Sequence, residues 1–141
     1  MHPAWSIIFF TSVSGLGLGL AGWVVLGALD LSRFVHLLFV SGVTFGLIGA
    51  GLLSSTLHLG HPERAWRALS QWRSSWLSRE GVLAVLVIAA LSGWFLSVFL
   101  GTTPPLWASV LLIALIMATV YATSMIYASL RTVACWHHPL T

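Results

Sequence analysis

The sequence predicts an all-α integral membrane protein, with four transmembrane helices in an up-and-down bundle and a short interfacial helix between the second and third spans. Of its 141 residues, 58% are hydrophobic and only 6% are charged, whereas soluble domains carry about 25% charged residues. Its apolar residues also form four segments, each long enough for the roughly 20 residues that a membrane-spanning helix needs. We expect one membrane domain that covers residues 1–141.

The four spans are predicted at residues 4–29, 34–59, 81–100 and 106–130. The first two spans and the last two are joined by short connections, so neighbouring helices are expected to pack antiparallel. Pro104 and Pro105 are expected to stop the third helix and to start the fourth.

Small residues predict how the first two helices pack. Residues at four-residue spacing form one face of each helix and allow close approach in lipid. The alternative is that glycine is simply frequent in membrane helices. The predicted faces are Gly15, Gly19 and Gly22 in the first span and Gly42, Gly46 and Ala50 in the second.

The long connection at residues 60–79 predicts an amphipathic helix lying in the membrane interface. Pro62 suits its first position. Ser78 is the predicted N-cap of the third span, and Glu80 is expected in the first turn, where a carboxylate complements the helix dipole. Four aromatic or apolar residues recur at three- and four-residue steps: Trp66, Leu69, Trp72 and Trp76.

Arginine predicts the orientation. The long connection holds Arg64, Arg67, Arg73 and Arg79, whereas Asp30 offsets Arg33 in the first short turn. The positive-inside rule therefore places this connection and both termini in the cytoplasm, although a basic loop that docks a partner would give the same pattern. The net charge is +3. Because the arginines flank apolar spans, the charge indicates contact with lipid headgroups and not with nucleic acid.

Histidine and cysteine positions argue against a haem or metal site in this chain. Of the six histidines, only His36 falls at the opposite end from the long connection, where it has no partner at its depth. At the other end only His58 lies within a span, because the remaining four are in end segments, so no pair is expected at one depth inside the bundle. The single Cys135 excludes an intramolecular disulfide and any Cys-only cluster.

His58 and Glu80 are the candidate functional pair. Both are expected at one membrane edge, His58 in the last turn of the second span and Glu80 at the start of the third. Quinol oxidation releases two protons with two electrons, and it needs a hydrogen-bond partner for the quinol oxygens and an ionisable acceptor. Alternatively, His58 only hydrogen-bonds a neighbouring helix, and Glu80 only complements a helix terminus.

The basic connection is also a candidate docking surface. Arginine and tryptophan together form a positive, aromatic surface that suits a protein partner or lipid headgroups. An ordinary positive-inside loop is the alternative. The residues are Arg64, Arg67, Arg73, Trp66 and Trp72.

Three stretches of the sequence are distinctive: HPAWSIIFFTSVSGLGLGL at 2–20, LLSSTLHLGHPERAWRALSQWRSSWLSREGV at 52–82, and MIYASL at 125–130 followed by WHHP at 136–139. They resemble the DmsC-type membrane anchor subunits of molybdenum-containing dimethyl sulfoxide reductase-like enzymes. The resemblance implies a helical anchor without haem, which holds a molybdopterin catalytic subunit and an iron–sulfur subunit at the bacterial inner membrane. It also implies transient binding of menaquinol or another quinone, with His58, Glu80 and Arg64 at the matching motif positions.

The sequence departs from that family in length, since relatives usually have about eight spans. It resembles their N-terminal half, so we expect either a fragment or a protein that pairs with a second anchor half. Some relatives oxidise quinol, and sulfite-oxidising relatives pass electrons into quinone. Competing hypotheses are a structural tether that binds no quinone, a non-functional fragment, a haem-b electron carrier and, more distantly, a transporter.

Overall fold

Four long helices form the part of the protein that is described by a computed structural model, residues 5–56 and 70–129. They are α1 (Trp5–Val25), α2 (Phe34–Thr56), α3 (Trp76–Phe99) and α4 (Leu106–Ala128). Each is long and apolar enough to cross a membrane. Helices of 21 to 24 residues extend about 32–36 Å at 1.5 Å per residue, enough for a bilayer core of about 30 Å. The predicted all-α membrane bundle is confirmed.

The helices run alternately up and down. Close pairs such as Gly51 with Ser14 and Gly17 with Ile48 show that α1 and α2 are antiparallel. We call the end where α1 and α3 begin the loop end, and the opposite end the turn end. The core includes Val24, Val87, Leu91, Phe95 and Leu112, which are at most 2% exposed. Many large apolar side chains on the outside remain exposed, as lipid-facing residues are.

Glycines close two helices at the turn end. Gly27 (φ 77°) and Gly101 (φ 72°) lie just beyond α1 and α3 in the left-handed region. The N–H of Ala28 donates to the carbonyl of Trp23, and that of Thr102 donates to Ser97, the six-to-one bond of a Schellman motif. α1 therefore ends at Val25, before the predicted residue 29. Gly101, and not the proline pair, stops α3, while Pro105 is the N-cap residue of α4.

The Asp30 carboxylate orders the turn between α1 and α2. It accepts a hydrogen bond of 2.9 Å from the Ser32 N–H. Hydrogen bonding from Ser32 lowers the pKa of Asp30, because these bonds stabilise the charged form. The turn end therefore carries an ordered, exposed acid next to Arg33.

α3 begins earlier than the sequence pattern predicts. Its N-cap is Ser75, whose hydroxyl accepts from the Ser78 N–H at 3.4 Å. The prediction of Ser78 as the N-cap is wrong, because Ser75 has the extended backbone of a cap and Ser78 is already helical. Glu80 consequently lies in the second turn of α3, deeper in the bundle than predicted.

The predicted interfacial helix falls mostly outside the described residues. Ser70 is helical, but residues 71–74 form a turn. Trp76, predicted on that helix, is instead the first residue of α3. Trp72 and Trp76, predicted to lie on one helix, therefore lie in the turn and in α3, respectively.

α1 and α2 pack most closely through Gly17 and Gly51. A Cβ atom at Gly51 would lie 2.7 Å from the Ser14 backbone nitrogen, and one at Gly17 would lie 2.8 Å from that of Ile48. The prediction that other small residues form this contact is wrong for five glycines, which have nothing within 4 Å of an added Cβ: Gly15, Gly19, Gly22, Gly42 and Gly46.

Gly51→Ala should destabilise the bundle, because its methyl group would overlap the α1 backbone. We expect a loss of about 1–3 kcal/mol in the free energy of unfolding, measured by denaturant unfolding in detergent micelles. Gly46→Ala is the matched control on the same helix and should have little effect. Equal stability of the two variants would refute the assigned contact.

Candidate functional site

Glu80 is a buried acid on the inner face of α3. It is 5% exposed, and Ala84, Val87 and Leu91 continue the same buried face. These positions follow the three- and four-residue steps of one helix face. A carboxyl group in such apolar surroundings needs a hydrogen-bond partner from another helix.

Thr123 of α4 provides that partner. Its hydroxyl bonds Oε1 of Glu80 and also lies 3.0 Å from the Thr119 carbonyl oxygen. A hydroxyl has one hydrogen to donate, so it serves one of these acceptors at a time. When it donates to Thr119, a protonated Glu80 can donate to the Thr123 oxygen. When Glu80 is ionised, Thr123 can turn its hydrogen to the carboxylate. The pair therefore keeps a hydrogen bond in both protonation states.

A small cavity lies beside Glu80. Its volume is about 20 Å³, and all four helices line it. Ser14 and Thr119 contribute hydroxyl groups to a wall that is otherwise mostly apolar; each of these hydroxyls donates to a carbonyl of its own helix. A water molecule needs roughly 10–15 Å³ of such space, whereas a site for a drug-sized ligand needs about 300 Å³ or more. The cavity can therefore hold one water molecule but no quinone ring.

Arg79 and Glu80 are neighbours in sequence but face different surroundings. The Arg79 guanidinium lies 4.2 Å from the Trp76 ring centroid and donates to the backbone carbonyls of Trp72 (2.9 Å) and Arg73 (2.8 Å). Glu80 instead faces Thr123 inside the bundle. Two consecutive residues of α3 thus place a cation at the surface and an acid inside the bundle.

The predicted site residues divide into two groups. Glu80, Trp72 and Arg73 are described, and all three lie at the loop end. Trp72 and Arg73 are exposed, with the guanidinium carbon 5.6 Å from the indole centroid. The others fall within residues 57–69, outside the described ranges: His58, Arg64, Trp66 and Arg67. Within residues 5–56 and 70–129, no cluster of three or more potential metal ligands occurs.

Sequence reasoning missed Thr123, the hydrogen-bond partner of Glu80. Thr119 and Thr123 are four residues apart in a strongly apolar span, and that spacing alone could have identified a polar stripe on α4. It named Ser78 only as a cap and did not predict that its hydroxyl is buried, with no hydrogen-bond partner within the described part of the protein.

Comparison with known families decides the class of this membrane protein. The model of the DMSO reductase anchor subunit (DmsC) matches residues 1–141. The chain belongs to the DmsC family. The resemblance seen in the three sequence stretches is thereby confirmed, and this DmsC-family member is a multi-pass membrane protein.

Several relatives match this DmsC-family member. A sulfite dehydrogenase subunit of Allochromatium vinosum is 37% identical, over 100% of this chain and 50% of the relative. An anaerobic dimethyl sulfoxide reductase subunit of Escherichia coli is 31% identical, over 64% of this chain and 33% of the relative. The YnfH protein of an anaerobic dimethyl sulfoxide reductase from the same organism is 28% identical over 97% and 50%. The protein described here therefore spans half or less of the length of these relatives. No solved structure matches it significantly.

Thr123→Val should destabilise the protein, because it removes the partner of a buried carboxyl group at nearly constant volume. We expect a loss of about 1–3 kcal/mol in the free energy of unfolding, measured in detergent micelles, and Thr123→Ser should restore most of it. Thr44→Val is the control, since Thr44 is fully buried and, among the described residues, its hydroxyl bonds only the Val40 carbonyl of its own helix. Equal losses for Thr123→Val and Thr44→Val would show that the contact with Glu80 contributes nothing.

Proposed function

We propose that this protein anchors a molybdopterin catalytic subunit and an iron–sulfur subunit at the bacterial inner membrane and oxidises menaquinol for them. The observation that carries the proposal is the buried Glu80 carboxyl group with its Thr123 partner at the loop end. Membership of the DmsC anchor family supports the assembly. Among the relatives, the names include both a dimethyl sulfoxide reductase and a sulfite dehydrogenase, so electron flow into quinone is the alternative direction.

The chemistry assigns Glu80 the role of proton acceptor. Oxidation of one quinol to quinone releases two electrons, which go to the iron–sulfur partner, and two protons. Because Thr123 can accept from the protonated carboxyl group and donate to the ionised one, Glu80 can take up a proton and later release it without losing its hydrogen bond. The cavity beside it is too small for the ring, so the quinol would bind nearer the loop end.

His58 is proposed to bind a quinol oxygen there. It follows Thr56, the last described residue of α2, by two positions in the sequence. α2 ends at the same end of the bundle at which α3 begins. Imidazole donates and accepts hydrogen bonds and titrates near neutral pH. Arg64, in the same connection, is proposed as a third contact with the quinol.

The basic connection is proposed as the docking surface for the soluble subunits. Trp72 and Arg73 are exposed at the loop end, and Arg64, Trp66 and Arg67 precede them in the same connection. By the positive-inside rule, the loop end and both termini would face the cytoplasm. A soluble partner bound there would lie next to the proposed quinol site, which shortens the distance for electron transfer. A second anchor half is proposed as a further partner.

Glu80→Gln and His58→Ala should each lower quinol-dependent turnover by roughly 100-fold, a typical contribution of general acid–base groups. The measurement is steady-state turnover of the complex isolated from native membranes, with a reduced dye as the quinol-independent donor. Turnover with the dye should be unchanged. His36→Ala is the matched control, since His36 lies in the first turn of α2, at the turn end. If both variants keep normal quinol-dependent turnover in an intact complex, the site assignment is wrong and a tether without quinone is favoured.

Alanine at Arg64, Arg67 and Arg73 together should release the soluble subunits from the membrane, because it removes three positive charges from the proposed docking surface. Retention is measured by sedimenting membranes and quantifying the soluble subunits by immunoblot. Arg33→Ala, at the turn end, should leave them bound. Full retention in the triple variant would locate the docking surface elsewhere.

A further inference from the structure

An open groove runs along the outer surface between α3 and α4 at the loop end. Its volume is about 430 Å³, within the range of small-molecule sites. Val82 of α3 and Ala118 of α4 contribute to its apolar floor, and Trp72, Trp76, Tyr121 and Arg79 surround them. The groove is separate from the Glu80 cavity, since no residue lines both.

The surrounding side chains hold one another in place. The rings of Trp76 and Tyr121 meet edge to face, with centroids 5.9 Å apart. The Arg79 guanidinium lies over the Trp76 ring and donates two hydrogen bonds to the turn before α3. Arginine has five N–H donors, and hydrogen bonds within the described residues use two of them, so three can serve a ligand. The guanidinium is therefore held at the groove before any ligand arrives, which reduces the entropic cost of binding.

The charge of Arg79 is not matched by an acid in the described ranges. Their two acidic residues are Asp30, in the connection at the turn end, and Glu80, which bonds Thr123 inside the bundle; the third acid of the sequence, Glu63, lies outside these ranges. The Trp76 ring and the two backbone carbonyls hold the Arg79 cation at the end of an apolar groove, where indole rings mark the membrane interface. The complementary ligand has an anionic headgroup and an apolar tail.

We propose that this groove binds one anionic phospholipid, with its phosphate on Arg79 and an acyl tail over Val82 and Ala118. A quinone carries no anionic group, and an apolar helix of a protein partner would not supply the negative charge that complements Arg79. The guanidinium–phosphate contact is a charge-assisted hydrogen bond, which is about twice as strong as a neutral one. The bound lipid braces the first turn of α3, the helix that positions Glu80.

The test measures lipid binding to the purified 141-residue protein by native mass spectrometry, with phosphatidylglycerol and phosphatidylcholine titrated separately. Both lipids carry a phosphate, but the quaternary ammonium of phosphatidylcholine offsets its charge. We therefore expect one phosphatidylglycerol to bind roughly fivefold more tightly than phosphatidylcholine, the contribution of one arginine to the binding of an anionic lipid. Arg79→Gln should remove this preference, and Arg79→Lys should retain part of it. Arg33→Gln, which changes an exposed arginine at the turn end, should leave it unchanged.

Ala118→Phe tests the groove itself, because a phenyl group on its floor would exclude the acyl tail while Arg79 stays in place. Phosphatidylglycerol binding should fall by roughly tenfold or more, since the tail loses its apolar contact, with unchanged helicity by circular dichroism. The proposal is overturned if the native protein binds both lipids equally or if neither Arg79→Gln nor Ala118→Phe weakens binding. It is also overturned if a quinone analogue or a second copy of the protein occupies the groove and excludes the lipid.

Discussion

Lipid offers no hydrogen-bond partners, so buried polar groups of the bundle must bond to other groups of the protein. This constraint determines how the helices are arranged. Most buried hydroxyl groups meet this demand locally, as when Ser14 and Thr44 donate to carbonyls of their own helices. Glu80 cannot do so and bonds Thr123 on another helix. That bond joins α3 to α4 at the Glu80 cavity, and the outer groove lies between the same two helices at the same end of the bundle.

The two helix pairs achieve contact by different means. α1 and α2 approach until backbone meets backbone at Gly17 and Gly51. α3 and α4 are spaced by larger groups, and Trp94 of α3 donates to the Ser109 hydroxyl of α4 at 3.1 Å. Phe95 fills the space between the pairs and packs against Phe45 of α2 at a centroid distance of 5.7 Å. The first pair therefore tolerates little added volume at its contacts, whereas the second depends on specific polar bonds.

Hydropathy predicted the number and class of the helices because spanning a bilayer demands long apolar segments. It did not predict the start of α3, since Ser75 and Ser78 are equally plausible caps in sequence and only backbone conformation separates them. Small residues were misassigned for a related reason. They occur on several faces of α1 and α2, and the face that packs is set by the large neighbours Leu18 and Ile48, which are buried. Glu80 was identified, but its partner lies 43 residues further along the sequence.

The shared hydrogen of Thr123 links side-chain chemistry to the backbone of α4. When that hydrogen moves to the Glu80 carboxylate, the Thr119 carbonyl oxygen loses one of its hydrogen bonds. A carbonyl stretching vibration responds directly to the number of hydrogen bonds that the oxygen accepts. A change in the protonation of Glu80 on α3 should therefore shift the carbonyl stretching frequency of Thr119 on α4. Isotope labelling of the Thr119 carbonyl alone would separate this band from those of the other amides.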